Sequence, residues 1–417
     1  MRTDKLEARM RSYEAVFDLR IPPGFHIVVR LDGRSFTRLT QEVCAFEAPF
    51  DTRFRDLMVV TARHLIDCGF NVLYGYGESD EISLLLHPED TSFSRKARKY
   101  VSLLAGEASA AFSVALGRPA SFDGRLSILP GREQVIDYFR WRMSDAIRCC
   151  LNGHAYWMLR RQGRSGQAAS EELRGMGHGD KHELLFQSGV DFDRLPTWQK
   201  RGFGVYWAES EITGYHPKTG EATATRRRRR FTDFRLPAED DYATALSGLL
   251  DGRPFPTRLW PPERIVSGGQ TGADRAALDW AIAHNIPHGG WCPRGRRAED
   301  SPIDARYALR ETADSERYQE RTWRNVIDSD GTLILNLGEL DGGTLETLRF
   351  TERLSKPSRL VQLDTGVCEE DVREVVRWVA EHGIATLNLA GPRESKRPGI
   401  YHLTQAFLDA LQNHRET

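Results

Sequence analysis

Cysteine is scarce in this chain and never sits at metal-binding spacing: Cys44, Cys68, Cys149, Cys150, Cys292 and Cys368 include no C-x-x-C pair. That argues against zinc ribbons and disulfide frameworks, and it fits a reducing compartment. The twelve histidines form no H-E-x-x-H, which excludes a zincin-type protease. No apolar run is long enough to span a bilayer, and Met1-Arg2-Thr3-Asp4-Lys5 does not open a signal peptide. A cytoplasmic protein with no membrane partner is therefore expected. An excess of charge of either sign is absent as well. With a formal net charge of −1 the chain is no polycation, so any contact with RNA has to be a local basic patch. What the chain has in quantity is length: 417 residues exceed one ordinary core and predict two domains.

The most informative stretch is 26–36. A β-branched run from His26 to Leu31 reads as a buried strand, and it ends in Asp32-Gly33. A second stretch, 71–86, reads as a hairpin that Gly75 and Gly77 break and in which Asp80-Glu81 open the returning strand. Either alone is a capping aspartate or a turn. Together they can converge at one sheet edge, where hard oxygen ligands suit two Mg²⁺ ions that clamp a phosphoryl group. Asp32 and Asp80 are the expected metal ligands, with the carbonyl of Gly33 added because glycine lets the backbone approach a metal. Successive strand residues alternate between faces, so Glu81 should not face Asp32 as Asp80 does, and it reads as an outer carboxylate of the same centre. Asp32, Asp80 and Glu81 are the candidate catalytic residues. Backbone amides from Arg34 through Ser35 and Phe36 to Thr37 are expected to cradle a triphosphate, with Arg30 and Ser79 flanking it. Arg95, Lys96, Arg98 and Lys99 open a later helix; cations there oppose the macrodipole, so an anion is expected to compensate them.

The motifs R-L-D-G-R-S-F at 30–36 and G-Y-G-E-S-D-E at 75–81 resemble those of the tRNA-His guanylyltransferase family, more closely its bacterial and archaeal guanylyltransferase-like branch. D-G-R at 123–125, D-Y-F-R-W-R at 137–142 and L-P-T-W-Q-K-R-G at 195–202 extend the resemblance over roughly the first 250 residues. The resemblance implies a palm-like fold and a nucleotidyltransferase that adds nucleotides 3′ to 5′ at the 5′ end of tRNA. It also implies ATP and GTP as substrates, a homotetramer, Asp80 as the direct metal ligand, and Lys96 and Lys99 as grips on a triphosphate. In that chemistry ATP adenylylates a 5′-monophosphate, and the 3′-hydroxyl of an incoming nucleotide attacks the activated end. Three departures stand out: Thr37 where eukaryotic members carry histidine, Glu47-Ala48 where a lysine precedes Pro-x-Asp, and residues 147–153 in place of H-I-N-N-L-Y-N. They point away from strict tRNA-His guanylylation and toward templated 5′-end repair.

Helical periods over 4–18, 51–67, 94–116 and 132–163 alternate with the strands, in the order of an α+β palm-like, ferredoxin-type sheet. Gly163 to Gly179 reads as a polar connector. The run Arg226 to Arg230 reads either as a solvated charge run or as part of a phosphate-contacting RNA surface. A proline-rich linker, 251–262, separates a domain at 1–250 from one at 263–417. From Arg264 onward, strands ending in glycine alternate with helices, which predicts an α/β, doubly wound, Rossmann-like parallel sheet. Its turns (Gly268, Gly269, Gln270, Thr271, Gly272 and Asp274; Gly342, Gly343 and Thr344; Gly391) are expected to line one crevice for a phosphorylated ligand. The segments G-G-Q-T-G-A-D, 289–300 and 390–395 resemble the molybdenum-carrier family, which implies a nucleotide-type ligand or, as the weaker alternative, a molybdenum cofactor. Cys292 reads as a small buried residue before it reads as a soft metal ligand. Two functions are thus open: the 3′-to-5′ nucleotidyltransferase with an accessory ligand-binding domain, or a nucleotide- or cofactor-binding sensor whose palm only binds RNA. The intact Asp32, Asp80 and Glu81 favour the enzyme.

Overall fold

A computed structural model describes residues 2–215, 222–256, 260–312 and 318–414. It divides into two compact units, 1–256 and 257–417.

The first unit is built on six antiparallel strands: β1 (His26–Gly33), β2 (Val72–Glu78), β3 (Glu81–Leu86), β4 (Phe122–Leu129), β5 (Phe203–Tyr215) and β6 (Ala222–Asp233), in the order β4-β1-β3-β2-β5-β6. The first four, in the order 4-1-3-2, are the ferredoxin-type core of a palm. After α1 (Arg2–Glu14), α2 (Phe36–Arg38) follows β1, α3 (Thr52–Leu65) links β1 to β2, and α4 (Ala97–Leu116) links β3 to β4. Helices α3 and α4 pack on one another and on the sheet face that carries Leu84. Side chains alternate along β3, so Ser83 points the other way, toward α5 (Arg132–Arg161), where its hydroxyl meets Tyr138 Oη at 3.0 Å. The stretch read as a polar connector is largely helical, as α6 (Gly166–Leu173) and the start of α7 (His178–Gln187). Ala169 and Leu185 are buried in one cluster with Leu151 and Met158 of α5, and Leu173 and Leu184 pack against it, so packing supplies the order that composition does not announce. Gly77 does not break its strand; a side chain there would meet the Phe203 ring at 2.3 Å. The apolar stripe of α1 (Leu6, Met10, Tyr13) stays exposed.

After α8 (Thr197–Arg201), β5 and β6 pair over their whole lengths, so the arginine run lies on an ordered strand, Trp207 opposite Arg230. Arg228 lies over the Trp207 ring and Arg230 bonds the Arg63 carbonyl at 3.2 Å; the side chains of Arg226 and Arg227 lie outside the described residues. After α9 (Glu239–Leu250), residues 251–256 are not a free linker. Phe255 is 3% exposed, its ring 5.4 Å from Tyr74 and 4.7 Å from Tyr206. Prolines and the lack of a period concealed this one packing residue. Residues 257–259 of the predicted linker lie outside the described residues.

The second unit is a wholly parallel sheet of β7 (Arg264–Val266), β8 (His288–Cys292), β9 (Leu309–Glu311), β10 (Gly331–Asn336), β11 (Ser358–Gln362) and β12 (Thr386–Ala390), in the order β11-β10-β12-β7-β8-β9. Helices α10 (Ala273–Ala283), α11 (Tyr318–Ile327), α12 (Gly342–Arg353), α13 (Glu369–Glu381) and α14 (Ile400–Asn413) complete it. It is the predicted doubly wound α/β unit. Its main core joins Leu333, Leu335, Leu387 and Leu389 to Trp280, Val375 and Phe407. The last strand, β12, lies between β10 and β7, so the loops after these three strands sit side by side.

Candidate active site

The first site is made by backbone pairing. β1 ends beside the β2–β3 turn, where the Gly33 amide donates to the Asp80 carbonyl at 3.0 Å. The turn residues are Ser79, with φ +46°, and Asp80. Asp32 is the direct cross-strand partner of Glu81 on one side and of Asp123 on the other. Burial pushes the Asp80 carboxyl above its ordinary range, and the charge of Asp32 acts in the same direction. The Arg125 guanidinium approaches Asp32 only to 3.9 Å. A carboxyl raised by burial and by the charge of a neighbouring carboxylate favours a cation beside it. Among the described residues there is no group of three or more His, Cys, Asp or Glu side chains that could hold a metal. Two carboxylates and a carbonyl fit Mg²⁺, which takes one or two carboxylates and fills its octahedron with water and substrate phosphate.

Gly33 is needed for a further reason: a side chain there would meet the Phe36 ring at 2.5 Å. Strand alternation had separated Glu81 from Asp32; the register does the reverse, because Asp80 belongs to the turn and Glu81 is the first strand residue. Glu81 is nevertheless engaged elsewhere. Arg142 of α5 donates to it from Nε at 2.7 Å and Nη2 at 2.9 Å, and Arg30 lies at 3.5 Å. Arg142 Nη2 also reaches Glu78 at 2.6 Å and Asp145 at 3.0 Å. Burial pushes Glu78 up to about 8, opposed by Arg142 and reinforced by Glu81. Glu81 is raised by burial against the pull of Arg142. The signal for this clamp is in the sequence: Arg142 falls on the same helical stripe as Val135, Tyr138, Phe139 and Ala146, where an arginine demands buried carboxylates.

Beside Asp80 opens a cavity of about 260 Å³, with Phe46, Phe50, Phe54, Trp198 and Phe203 among its lining residues. Aromatic walls next to a carboxylate pair suit a nucleobase whose phosphates reach the charged edge. Of the residues expected to hold nucleotide, Phe36, Thr37, Ser79 and Asp80 line this cavity, and Arg30, Arg34 and Ser35 do not. The Arg34 amide is already committed to the Ser121 carbonyl at 2.9 Å.

Lys96 and Lys99 are not brought to this edge. Lys96 pairs with Arg20 ahead of β1, at the end of the sheet where β3 finishes, and β3 itself runs about 17 Å from Glu81 to that end by strand rise. The compensating anion comes from the chain itself: Asp18 accepts from Lys96 Nζ and Arg98 Nε, each at 2.5 Å. These two bonds hold the Asp18 carboxyl below its ordinary range. Arg95 is buried and donates to the Ile21, Phe25 and Asp90 carbonyls, while Lys99 lies over the Phe93 ring.

In the second unit, Gly268, Gln270, Asp274, Gly342, Gly343, Thr344 and Gly391 line one cavity of about 490 Å³. Gly269, Thr271 and Gly272 do not. A side chain at Gly269 would meet Leu309 at 2.6 Å, and one at Gly272 the Pro392 carbonyl at 2.5 Å. The Thr271 hydroxyl donates to Glu299. Sequence reasoning passed over Arg321, Asn325 and Lys396, which also line the cavity but stand outside the glycine turns; Arg393, beside Gly391, lines it too. Gln270 is 2% exposed and its Oε1 has no partner; the buried Arg321 Nε has none either. Burial raises the Asp274 carboxyl, opposed by Arg321 at 3.7 Å. Cys292 lies outside the cavity, packed against Leu278, Ile303 and Tyr307, and burial pushes its thiol up.

Residues 7–130 match the family model for tRNAHis guanylyltransferase, and residues 133–236 that for the Thg1 C terminal domain. Residues 265–412 match the circularly permutated YpsA SLOG family. The tRNA(His) guanylyltransferase of Neurospora crassa is 36% identical over 197 residues, 44% of this chain and 67% of its own length. That of Schizosaccharomyces pombe is 31% identical over 193 residues, 44% of this chain and 74% of its own. The solved structure of a molybdenum carrier protein from Syntrophus aciditrophicus is 47% identical, with a TM-score of 0.35, and covers 36% of this chain and 94% of its own. Among the described residues no helix is long and apolar enough to cross a membrane.

Proposed function

The chain belongs to the tRNA(His) guanylyltransferase family of nucleotidyltransferases, and from that premise we propose that it adds nucleotides 3′ to 5′ at the 5′ end of tRNA, with Mg²⁺ held by Asp32, Asp80 and the Gly33 carbonyl. The observation that carries this reading is the meeting of Asp32 and Asp80 at one strand edge, the Asp80 carboxyl raised by burial and by the charge of Asp32, with an aromatic cavity beside them. Bound there, Mg²⁺ supplies charge neutralisation and Lewis acidity for phosphoryl transfer. The chain's own residues do the rest. Phe36, Phe54 and Phe203 form an apolar wall for the base of ATP or GTP, and Arg142 keeps Glu78 and Glu81 in fixed positions behind Asp32. The transfer forms a bond from O3′ of the incoming nucleotide to the phosphorus of an adenylylated 5′ end, and AMP leaves. Thr37 and residues 147–153 favour templated repair over strict tRNA-His guanylylation.

Incubating the protein with 5′-truncated tRNA, labelled nucleotides and Mg²⁺, and resolving products at single-nucleotide length, tests the reading. Stepwise 5′ extension that disappears in Asp32→Ala and Asp80→Ala is expected. Full activity in either variant refutes the assignment.

For the second unit we infer a phosphorylated ligand. The α12 N-terminus brings backbone amides to the cavity beside the Lys396–Asp341 ion pair, and the unpartnered Gln270 Oε1 and Arg321 Nε call for a ligand edge with both a donor and an acceptor. Thiolate-held molybdenum fits less well, because the Cys292 thiol is not in the cavity lining.

A further inference from the structure

Trp141 is 55% exposed on α5, although tryptophan is usually well covered and its helical neighbours Tyr138, Phe139, Arg142 and Met143 are buried. Its ring is also held in place. The Tyr138 ring stands edge-on at 5.8 Å, and the guanidinium of Arg142 lies over it at 4.6 Å. Arg142 is in turn held by Glu78, Glu81 and Asp145. The Arg30 guanidinium lies 5.9 Å from the same ring, and Arg30 is the cross-strand partner of Arg125, the exposed arginine beside Asp32. A rigid, open aromatic surface is thus continuous with cations that border the carboxylate centre.

We propose that Trp141, backed by Arg30 and Arg142, is the platform on which the unpaired terminal nucleobase of the RNA stacks while its 5′-phosphate reaches Asp32 and Arg125. The inference rests on the nucleotidyltransferase reading and adds a positioning residue to it. An RNA end is favoured over a protein partner by what surrounds the ring. At helical spacing its exposed neighbours are Asp137, Ser144 and Arg148, too polar for an apolar docking patch. One aromatic face with adjoining guanidiniums matches one base with its phosphate. Trp141 is not part of the aromatic cavity's lining: Ala146, the first α5 residue in that lining, is more than a turn further along, about 8 Å by helical rise. The terminal base of the RNA and the incoming nucleotide therefore have different seats. Stacking is tolerant of base identity, as repair of different 5′ ends requires.

The experiment is fluorescence anisotropy of labelled 5′-truncated tRNA with the full chain and with Trp141→Ala and Trp141→Phe, in the absence of nucleotides. Loss of one stacked base weakens binding roughly tenfold in Trp141→Ala, with most of it restored in Trp141→Phe. In the extension assay KM for RNA should rise while kcat at saturating RNA is retained, and KM for the nucleotide should not change. A tRNA whose terminal base is removed should bind wild type and Trp141→Ala alike. Unchanged RNA affinity in Trp141→Ala, an equal loss on the abasic-ended RNA, or a change of oligomeric state alone would overturn the proposal. If RNA affinity depends on Trp141 but wild type adds no nucleotide, the platform stands and the assigned activity falls.

Discussion

Arg142 serves three carboxylates at once, and the arrangement has consequences for both stability and pH. Removing it by Arg142→Ala would strand Glu78 and Glu81 in a buried site; a loss of about 3–5 kcal/mol is expected from denaturation of the first unit. Glu78 gives a sharper test. Its carboxyl is pushed up to about 8 in the fold, against an ordinary value near ~4.3 in an unfolded chain. Between those values the folded state holds a proton that the unfolded state has released. Stability contributed by this group is therefore full at acidic pH and lost as pH rises through about 8. Glu78→Gln keeps an acceptor for Arg142 but cannot titrate, so its stability should be flatter from pH 5 to 9 in a denaturation series. A wild-type slope that persists in the variant would assign it to another group. Lys96 carries the opposite expectation. With Asp18 as its partner at the far end of the sheet, Lys96→Ala should leave nucleotide affinity unchanged in a binding titration. A marked loss would bring the lysine back to the triphosphate.

At the scale of elements, the palm was legible where apolar periods are strong: β1, the β2–β3 hairpin, α3, α4 and α5 stand where the sequence places them, although the buried stripe of α3 runs through Met58, Ala62 and Leu65 and leaves Val60 exposed. Proximity across the sheet was not legible. That Asp32 pairs with Glu81, and that Lys96 falls at the other end, depends on register, which no single stretch encodes. The β5–β6 hairpin escaped because its arginines and threonines carry no apolar alternation, and α6 because a few buried residues suffice once α5 is present. In the second unit the three loops were found from their glycines, yet the glycines do different jobs. Gly272, at φ +79°, is a packing position against the 392–394 backbone. Gly272→Val should therefore lower the melting temperature of this unit, with any ligand binding lost as a result. Gln270→Ala should leave melting within a few degrees and abolish the thermal shift produced by a nucleotide panel. A shift retained in Gln270→Ala would locate the ligand elsewhere.

For the whole molecule, the position of Phe255 decides where the first unit ends. A chain of residues 1–250 should be less stable than one of residues 1–256 by about 3–5 kcal/mol, the loss expected when a buried phenylalanine leaves its cavity. Equal denaturation midpoints for the two would mean that Tyr74 and Tyr206 close over the gap. The same ring also constrains how such a gene can be assembled. A recombination breakpoint falling in the codons just before it would give the upstream partner a hole among its tyrosines. One falling just after Pro256 would cut no buried side chain of the first unit. Exchange of the downstream module is thus confined to a window of a few codons, and the proline-rich look of the seam says little about where that window lies.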